Sequence, residues 1–180
     1  MIKITYFVHG TTTDNEKGLA TGWQDGELSK LGKSQAKELG QLVADKKFDA
    51  IFCSDSKRAI NSAQLAFGDK YKIIQDKRLR EADYGDFTGK SDNFKNDLIG
   101  YIKKPFPHGE SYLDVEKRTS DFLEYLKNNY QKKHIAIVAH QAPQLALEVL
   151  LKNKTWPQAI AKDWRKKKAW QAGWEYRIKN

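Results

Sequence analysis

Ile2-Lys3-Ile4-Thr5-Tyr6-Phe7-Val8 runs into His9-Gly10, and His134-Ile135-Ala136-Ile137-Val138-Ala139 runs into His140-Gln141-Ala142-Pro143. Both are short runs rich in β-branched and apolar residues, the composition of strands. Working outward, residues 49–53, 71–75 and 174–178 read the same way, which makes five strands. Helical spacing fills the gaps. In residues 29–46, Leu31, Leu39, Leu42 and Val43 are expected to share one apolar face. A second helix is expected from near Asp55 to just before Gly68. A third opens on the capping pair Ser111 and Asp114, and Val115, Thr119, Phe122, Leu126 and Tyr130 follow at helical intervals. The fourth starts directly after His140, with Pro143 in its first turn. Strands alternating with helices predict a three-layer α/β/α domain on a mostly parallel central sheet. The 180 residues contain no repeat or linker and are expected to form one domain, residues 1–180.

Hydrophobic residues make up 39% and charged residues 31%, which suits a folded globular chain rather than a disordered one. No apolar stretch approaches the roughly 20 residues that cross a bilayer, and the first residues lack a signal-peptide pattern. A single cysteine, Cys53, excludes an internal disulfide framework. A cytoplasmic location with no membrane partner is therefore expected. Net charge is +9, from 32 Lys and Arg against 23 Asp and Glu. That favours anionic partners without choosing between phosphoesters and nucleic acids. Lys152, Lys154, Lys162, Arg165, Lys166, Lys167 and Lys168 crowd the C-terminal part, interleaved with Trp156, Trp164, Trp170 and Trp174. Aromatics between lysines can stack on bases. The preferred expectation is plainer: solvated lysines, tryptophans packed onto the core, and no nucleic acid partner.

The chemistry collects at strand ends. His9 follows the first strand, Ser54 to Arg58 the second, Glu81 comes shortly after the third, and His140 follows the fourth. Open α/β sheets bind ligands outside the carboxyl ends of their strands, so these groups are expected on one edge. Two other motifs fail. Cys53 to Arg58 has four intervening residues where a cysteine phosphatase needs five, and Gly85 to Gly89 has three where a P-loop needs four.

The motifs around those strand ends resemble a known family. Val8-His9-Gly10-Thr11-Thr12-Thr13-Asp14-Asn15 is similar to an Arg-His-Gly-Glu-Thr-x-x-Asn signature. Gly22-Trp23-Gln24-Asp25 and Leu28-Ser29-x-x-Gly32-x-x-Gln35-Ala36 follow, and then Ser54-Asp55-Ser56-Lys57-Arg58-Ala59. Leu79-Arg80-Glu81 with Tyr84-Gly85 and Gly89, Pro107-His108-Gly109-Glu110-Ser111 and Val138-Ala139-His140 complete the order. Together, over roughly residues 1–152, they resemble the histidine phosphatase superfamily, in its phosphoglycerate-mutase-like branch.

That resemblance implies a phosphomonoesterase acting through a phosphohistidine on a small phosphorylated metabolite, with no cofactor and no metal. His9 is then the nucleophile, and Arg58 offers a planar fork of donors to phosphate oxygens. His140, if protonated, adds a positive donor. Glu81 protonates the leaving alkoxide and later takes a proton from water. Asn15, Thr21, Gly22, Tyr84 and Gln141 are the implied substrate contacts, Gln141 through a backbone N–H at a helix start. His134 is read as structural, and Cys53 as a buried small residue.

Val8 stands where the family carries an arginine. Losing one preorganised donor costs roughly 100- to 1000-fold in rate. Lys57, Arg80 or Lys17 is expected to compensate, and without compensation activity is weak or lost. The alternative reading is thus an impaired homologue that binds phosphorylated ligands. Ala82 replaces an arginine that mutases use for a substrate carboxylate, and residues 90–106 have no room for their long basic insertion. The resemblance therefore favours a phosphatase over a phosphoglycerate mutase.

Overall fold

The computed structural model describes residues 1–68, 70–167 and 173–179, so Lys168 and Trp170 lie outside the described residues. The elements run β1 (Ile2–Val8), α1 (Thr13–Glu16), α2 (Lys30–Leu42), β2 (Ala50–Cys53), α3 (Lys57–Phe67) and β3 (Ile73–Gln75). Then come α4 (Tyr112–Asn129), β4 (His134–Ala139), α5 (Gln141–Lys152), α6 (Trp156–Ala161) and β5 (Trp174–Ile178), with short 3-10 turns between. The sheet order is β3-β2-β4-β1-β5. The first four strands are parallel, and β5 is antiparallel beside β1, with Ile4 opposite Tyr176. The mostly parallel sheet is as predicted.

Alternation along the strands builds a core on each face. Ile135, Ile137 and Ala139 of β4 join Ile4, Tyr6 and Phe52 against Phe122, Leu123, Leu126 and Leu147 of α4 and α5. Ala136 and Val138 join Phe7, Ile51 and Cys53 against Leu39, Val43, Ala63 and Phe67 on the α2 and α3 side. Helices on both faces complete the three layers. A further cluster, including Ala82, Tyr84, Phe106, Tyr112, Leu145 and Trp156, packs the long loop after β3 onto α4, α5 and α6. That loop carries part of the site.

β1, β4 and β5 have their predicted limits, while β2 and β3 are shorter than residues 49–53 and 71–75. Tyr71 stays out of β3 because its ring packs against Phe48 and Phe67 and its hydroxyl accepts from the Phe48 N–H at 3.3 Å. α4 starts on the expected reciprocal cap: Ser111 Oγ accepts from Asp114 N, and Asp114 Oδ2 from Ser111 N. The expected face of α2 needs correction. Leu31 and Leu42 are 54% and 51% exposed, and the buried stripe is Gly32, Ala36, Leu39 and Val43. A Cβ on Gly32 would sit 1.9 Å from the Thr11 carbonyl oxygen. The helix therefore docks by its glycine, backbone to backbone, which turns the two leucines to solvent.

The described tryptophans of the C-terminal part pack on protein. Trp156 lies against Tyr112 at 5.1 Å, Trp164 against Trp174 at 5.8 Å, and Trp174 against Tyr6 at 6.5 Å. Among the described residues, no helix is long and apolar enough to cross a membrane.

Candidate active site

Parallel pairing of β1 with β4 sets Val8 beside Ala139, so the residues that follow, His9 and His140, leave the sheet together. His9 N donates to Ala139 O at 3.0 Å, and the two rings lie 5.0 Å apart, edge to face. The Tyr6 hydroxyl donates to His140 O at 2.7 Å and accepts from His140 N at 3.1 Å, which locks the turn into α5.

The partners of His9 assign its proton. Nδ1 lies 2.7 Å from Gly10 O, which can only accept, so Nδ1 carries the hydrogen. Nε2 lies 3.3 Å from the Arg58 Nε–H, which can only donate, so Nε2 carries the lone pair. Burial, and then the Arg58 charge, lower the His9 pKa to about 3. The ring is neutral at physiological pH. Burial followed by Arg58 also lowers His140 well below the usual histidine range. That shift disfavours the protonated form on which its expected part as a positive donor depends; its Nε2 meets Ser56 Oγ at 3.1 Å.

Arg58 sits in the first turn of α3, 2% exposed. Its Nη1 donates to Gln24 O at 2.8 Å and its Nη2 to Gly22 O at 2.6 Å. Gly22, at φ +53°, takes a conformation suited to glycine, and its carbonyl holds Arg58. Glu81 is fixed from α5: its Oε1 accepts from Ala142 N at 3.0 Å and from Ala82 N at 2.9 Å, and among the described residues Oε2 has no hydrogen-bond partner. Its backbone oxygen accepts from Trp23 Nε1 and Arg118 Nη2.

A cavity of about 460 Å³ opens at this edge, lined among others by Val8, His9, Asn15, Glu81 and Gln141. That volume suits a small metabolite. Asn15 Oδ1 is committed to the Thr12 N–H of a capping box, so only its Nδ2 remains for a ligand. Not every expected contact arrives there. Thr21 gives its hydroxyl proton to Asp14 at 3.1 Å, and Tyr84 is a fully buried core residue. Gly22 lines a separate cavity of about 250 Å³ that shares Glu81. Arg58 and His140 touch His9 without themselves being among the residues that line this cavity.

Residues 6–175 match the family description "Histidine phosphatase superfamily (branch 1)". This chain belongs to that superfamily. Two relatives from Hydrogenobacter thermophilus align along most of it. One, named only provisionally as phosphoserine phosphatase 2, is 35% identical and covers 83% of this chain and 79% of its own length. The other, phosphoserine phosphatase 1, is 27% identical over 82% and 74%. A 2,3-bisphosphoglycerate-dependent phosphoglycerate mutase of Streptococcus mutans is 40% identical, but over only 51% of this chain and 42% of itself. The structure of a mycobacterial glucosyl-3-phosphoglycerate phosphatase complexed with VO3 superposes with a TM-score of 0.77 at 26% identity, covering 88% and 86%. The class predicted from the motifs, a phosphoric monoester hydrolase, stands.

None of the three cations expected to compensate for Val8 lines the cavity of this histidine phosphatase. Lys57 pairs with Glu27. Arg80 forks onto Asp55 at 2.8 and 2.6 Å, under the Trp23 ring. Lys95 and Arg165 line the cavity instead, with Thr11, Gln35 and Trp164. The sequence offered little to single them out: Arg165 looked like one of a basic run, and Lys95 lies in a loop without a motif.

Proposed function

We propose that this chain hydrolyses a small phosphorylated metabolite through a phosphohistidine on His9, with phosphoserine the first substrate to test. The observation that carries the reading is the neutral Nδ1–H tautomer of His9, which leaves a lone pair on Nε2, in a residue that lines the same cavity as Glu81. An arriving phosphoryl group takes over the Arg58 Nε–H and frees that lone pair. Nε2 then bonds to phosphorus as the ester P–O bond breaks, and Glu81 delivers a proton to the leaving oxygen. In the second step a water attacks phosphorus and gives its proton to Glu81. The N–P bond breaks, and inorganic phosphate and the original His9 result. The phosphatase-named relatives align over most of this chain and the mutase over half of it, which supports hydrolysis over phosphoryl transfer between substrates.

The test is release of phosphate from phenyl phosphate and phosphoserine in the presence of chelator, for wild type and His9→Ala. Loss of at least about 1000-fold on removal of the nucleophile is expected. Equal rates in the two proteins would sink the phosphohistidine route. No turnover by wild type, with retained phosphate binding, would favour the ligand-binding homologue.

A further inference from the structure

We propose that Lys95 and Arg165 are the cationic clamp on the transferring phosphoryl group, an inference that rests on the phosphatase reading above. Charge in that transition state spreads over three equatorial oxygens, and preorganised donors must meet them. Arg58 already spends one N–H of each Nη on a backbone carbonyl and brings its Nε–H to the phosphoryl group from His9, so the equatorial oxygens call for further donors. Val8 contributes no donor, and His140 does not line the cavity. Lys95 and Arg165 open onto the cavity that holds His9 and Glu81.

Each of the two is built into place. Lys95 lies in a 3-10 turn, Asp92–Asp97. Phe94 of that turn packs against Tyr84 at 5.0 Å and Phe106 at 5.4 Å. The Lys95 ammonium stands 5.2 Å over the Tyr84 ring, with the side chain only 13% exposed. Its carboxylate neighbour Asp92 is 3.9 Å away, at the limit of an ion pair. A poorly solvated ammonium with so distant a counterion gains from an incoming anion.

Arg165 is oriented by Asp163, which is 4% exposed. Asp163 Oδ2 accepts from Arg165 Nε at 3.1 Å and Nη2 at 2.9 Å, and from Gln141 Nε2 at 2.6 Å. Among the described residues, Arg165 Nη1 has no partner, so two donors of the fork remain for a ligand. Gln141 and Asp163 are positioning residues. Burial and then the Arg165 charge both lower the Lys95 pKa, as expected of two cations on one cavity. An anion bound between them relieves that repulsion.

A carboxylate subsite would use the same chemistry, so the test separates the two. Turnover of phenyl phosphate, whose only charge is the phosphate, is compared with turnover of phosphoserine. Inorganic vanadate affinity is measured by calorimetry. The proteins are wild type, Lys95→Gln, Arg165→Gln and Arg165→Lys, each with and without Val8→Arg. Lys95→Gln and Arg165→Gln are expected to lose about 100-fold in kcat on phenyl phosphate and about 10-fold or more in vanadate affinity. Val8→Arg is expected to restore about 10-fold or more in the Gln variants and to add little to wild type, the non-additivity of groups sharing one role. Arg165→Gln leaves Asp163 buried without its cation and risks misfolding. Lys95→Gln breaks no close pair and keeps the test decisive. Unchanged vanadate affinity in Lys95→Gln overturns the clamp, whatever the turnover. Losses confined to phosphoserine overturn it in favour of a carboxylate site. If His9→Ala matches wild type while Lys95→Gln weakens vanadate binding, the clamp stands and the phosphohistidine route fails.

Discussion

His140 makes the cost of this site measurable at the level of one side chain. Burial and Arg58 hold its folded-state pKa far below the usual range, so the unfolded chain binds the proton more readily. Stability is then full above pH 6.5 and falls as the pH drops below the unfolded-state value. The contribution of one such histidine to the loss between pH 7.5 and 5.0 is about 2 kcal/mol. His9, lowered to about 3, adds a loss of the same sign. Urea denaturation at the two pH values is expected to show the drop, and His140→Gln to flatten it by about one proton. The same pH dependence in the variant would mean that His140 is not held neutral by the fold. The tautomer of His9 follows from its neighbours, a carbonyl on one side and a guanidinium on the other, and motif spacing carries no such information.

α2 shows how a single glycine sets the seat of a whole helix. Gly32 places the helix backbone against Thr11, two residues beyond His9, so helix docking and the shape of the nucleophile loop are one event. Gly32→Ala normally stabilises an exposed helix by about 1 kcal/mol. Here it is expected to destabilise by about 1–3 kcal/mol, since the new Cβ meets backbone that cannot rotate away. Leu39→Ala is expected to cost about 2–5 kcal/mol, whereas Leu31→Gln stays within about 0.5 kcal/mol. Equal costs for the two leucines in chemical denaturation would restore the face expected from periodicity. That expectation went astray because Leu31 and Leu42 flank the true stripe. Hydrophobicity ranks leucine above glycine, while the docking contact selects for absence of a side chain.

For the whole molecule, the cavity predicts stabilisation by anions that fit it. A ligand at 100 times its dissociation constant stabilises the folded state by about 2.7 kcal/mol. In a chain of 180 residues that raises the melting temperature by about 5–10 °C. Vanadate or inorganic phosphate is expected to produce the rise, and sodium chloride at equal ionic strength is not. An equal effect of both salts would mean that the net charge of +9, rather than a shaped pocket, attracts the anion.

Local signals were enough for the five strands and the four longer helices in order, the mostly parallel sheet and the meeting of His9 with His140, though not for α1 and α6. Strand composition, a capping box and the strand-to-helix transition after His140 are written in neighbouring residues, and parallel strands put their carboxyl ends together. Tertiary structure alone decided what those ends face. Arg58 turns inward onto carbonyls of a distant loop, Glu81 takes the α5 amide, and Tyr84 sinks into an aromatic cluster. Lys95 and Arg165, 70 positions apart in a basic chain, reach one cavity through loop packing. Charge on a lysine or arginine is legible anywhere in a sequence; its direction is set by burial, and burial is a property of contacts between segments far apart in the chain.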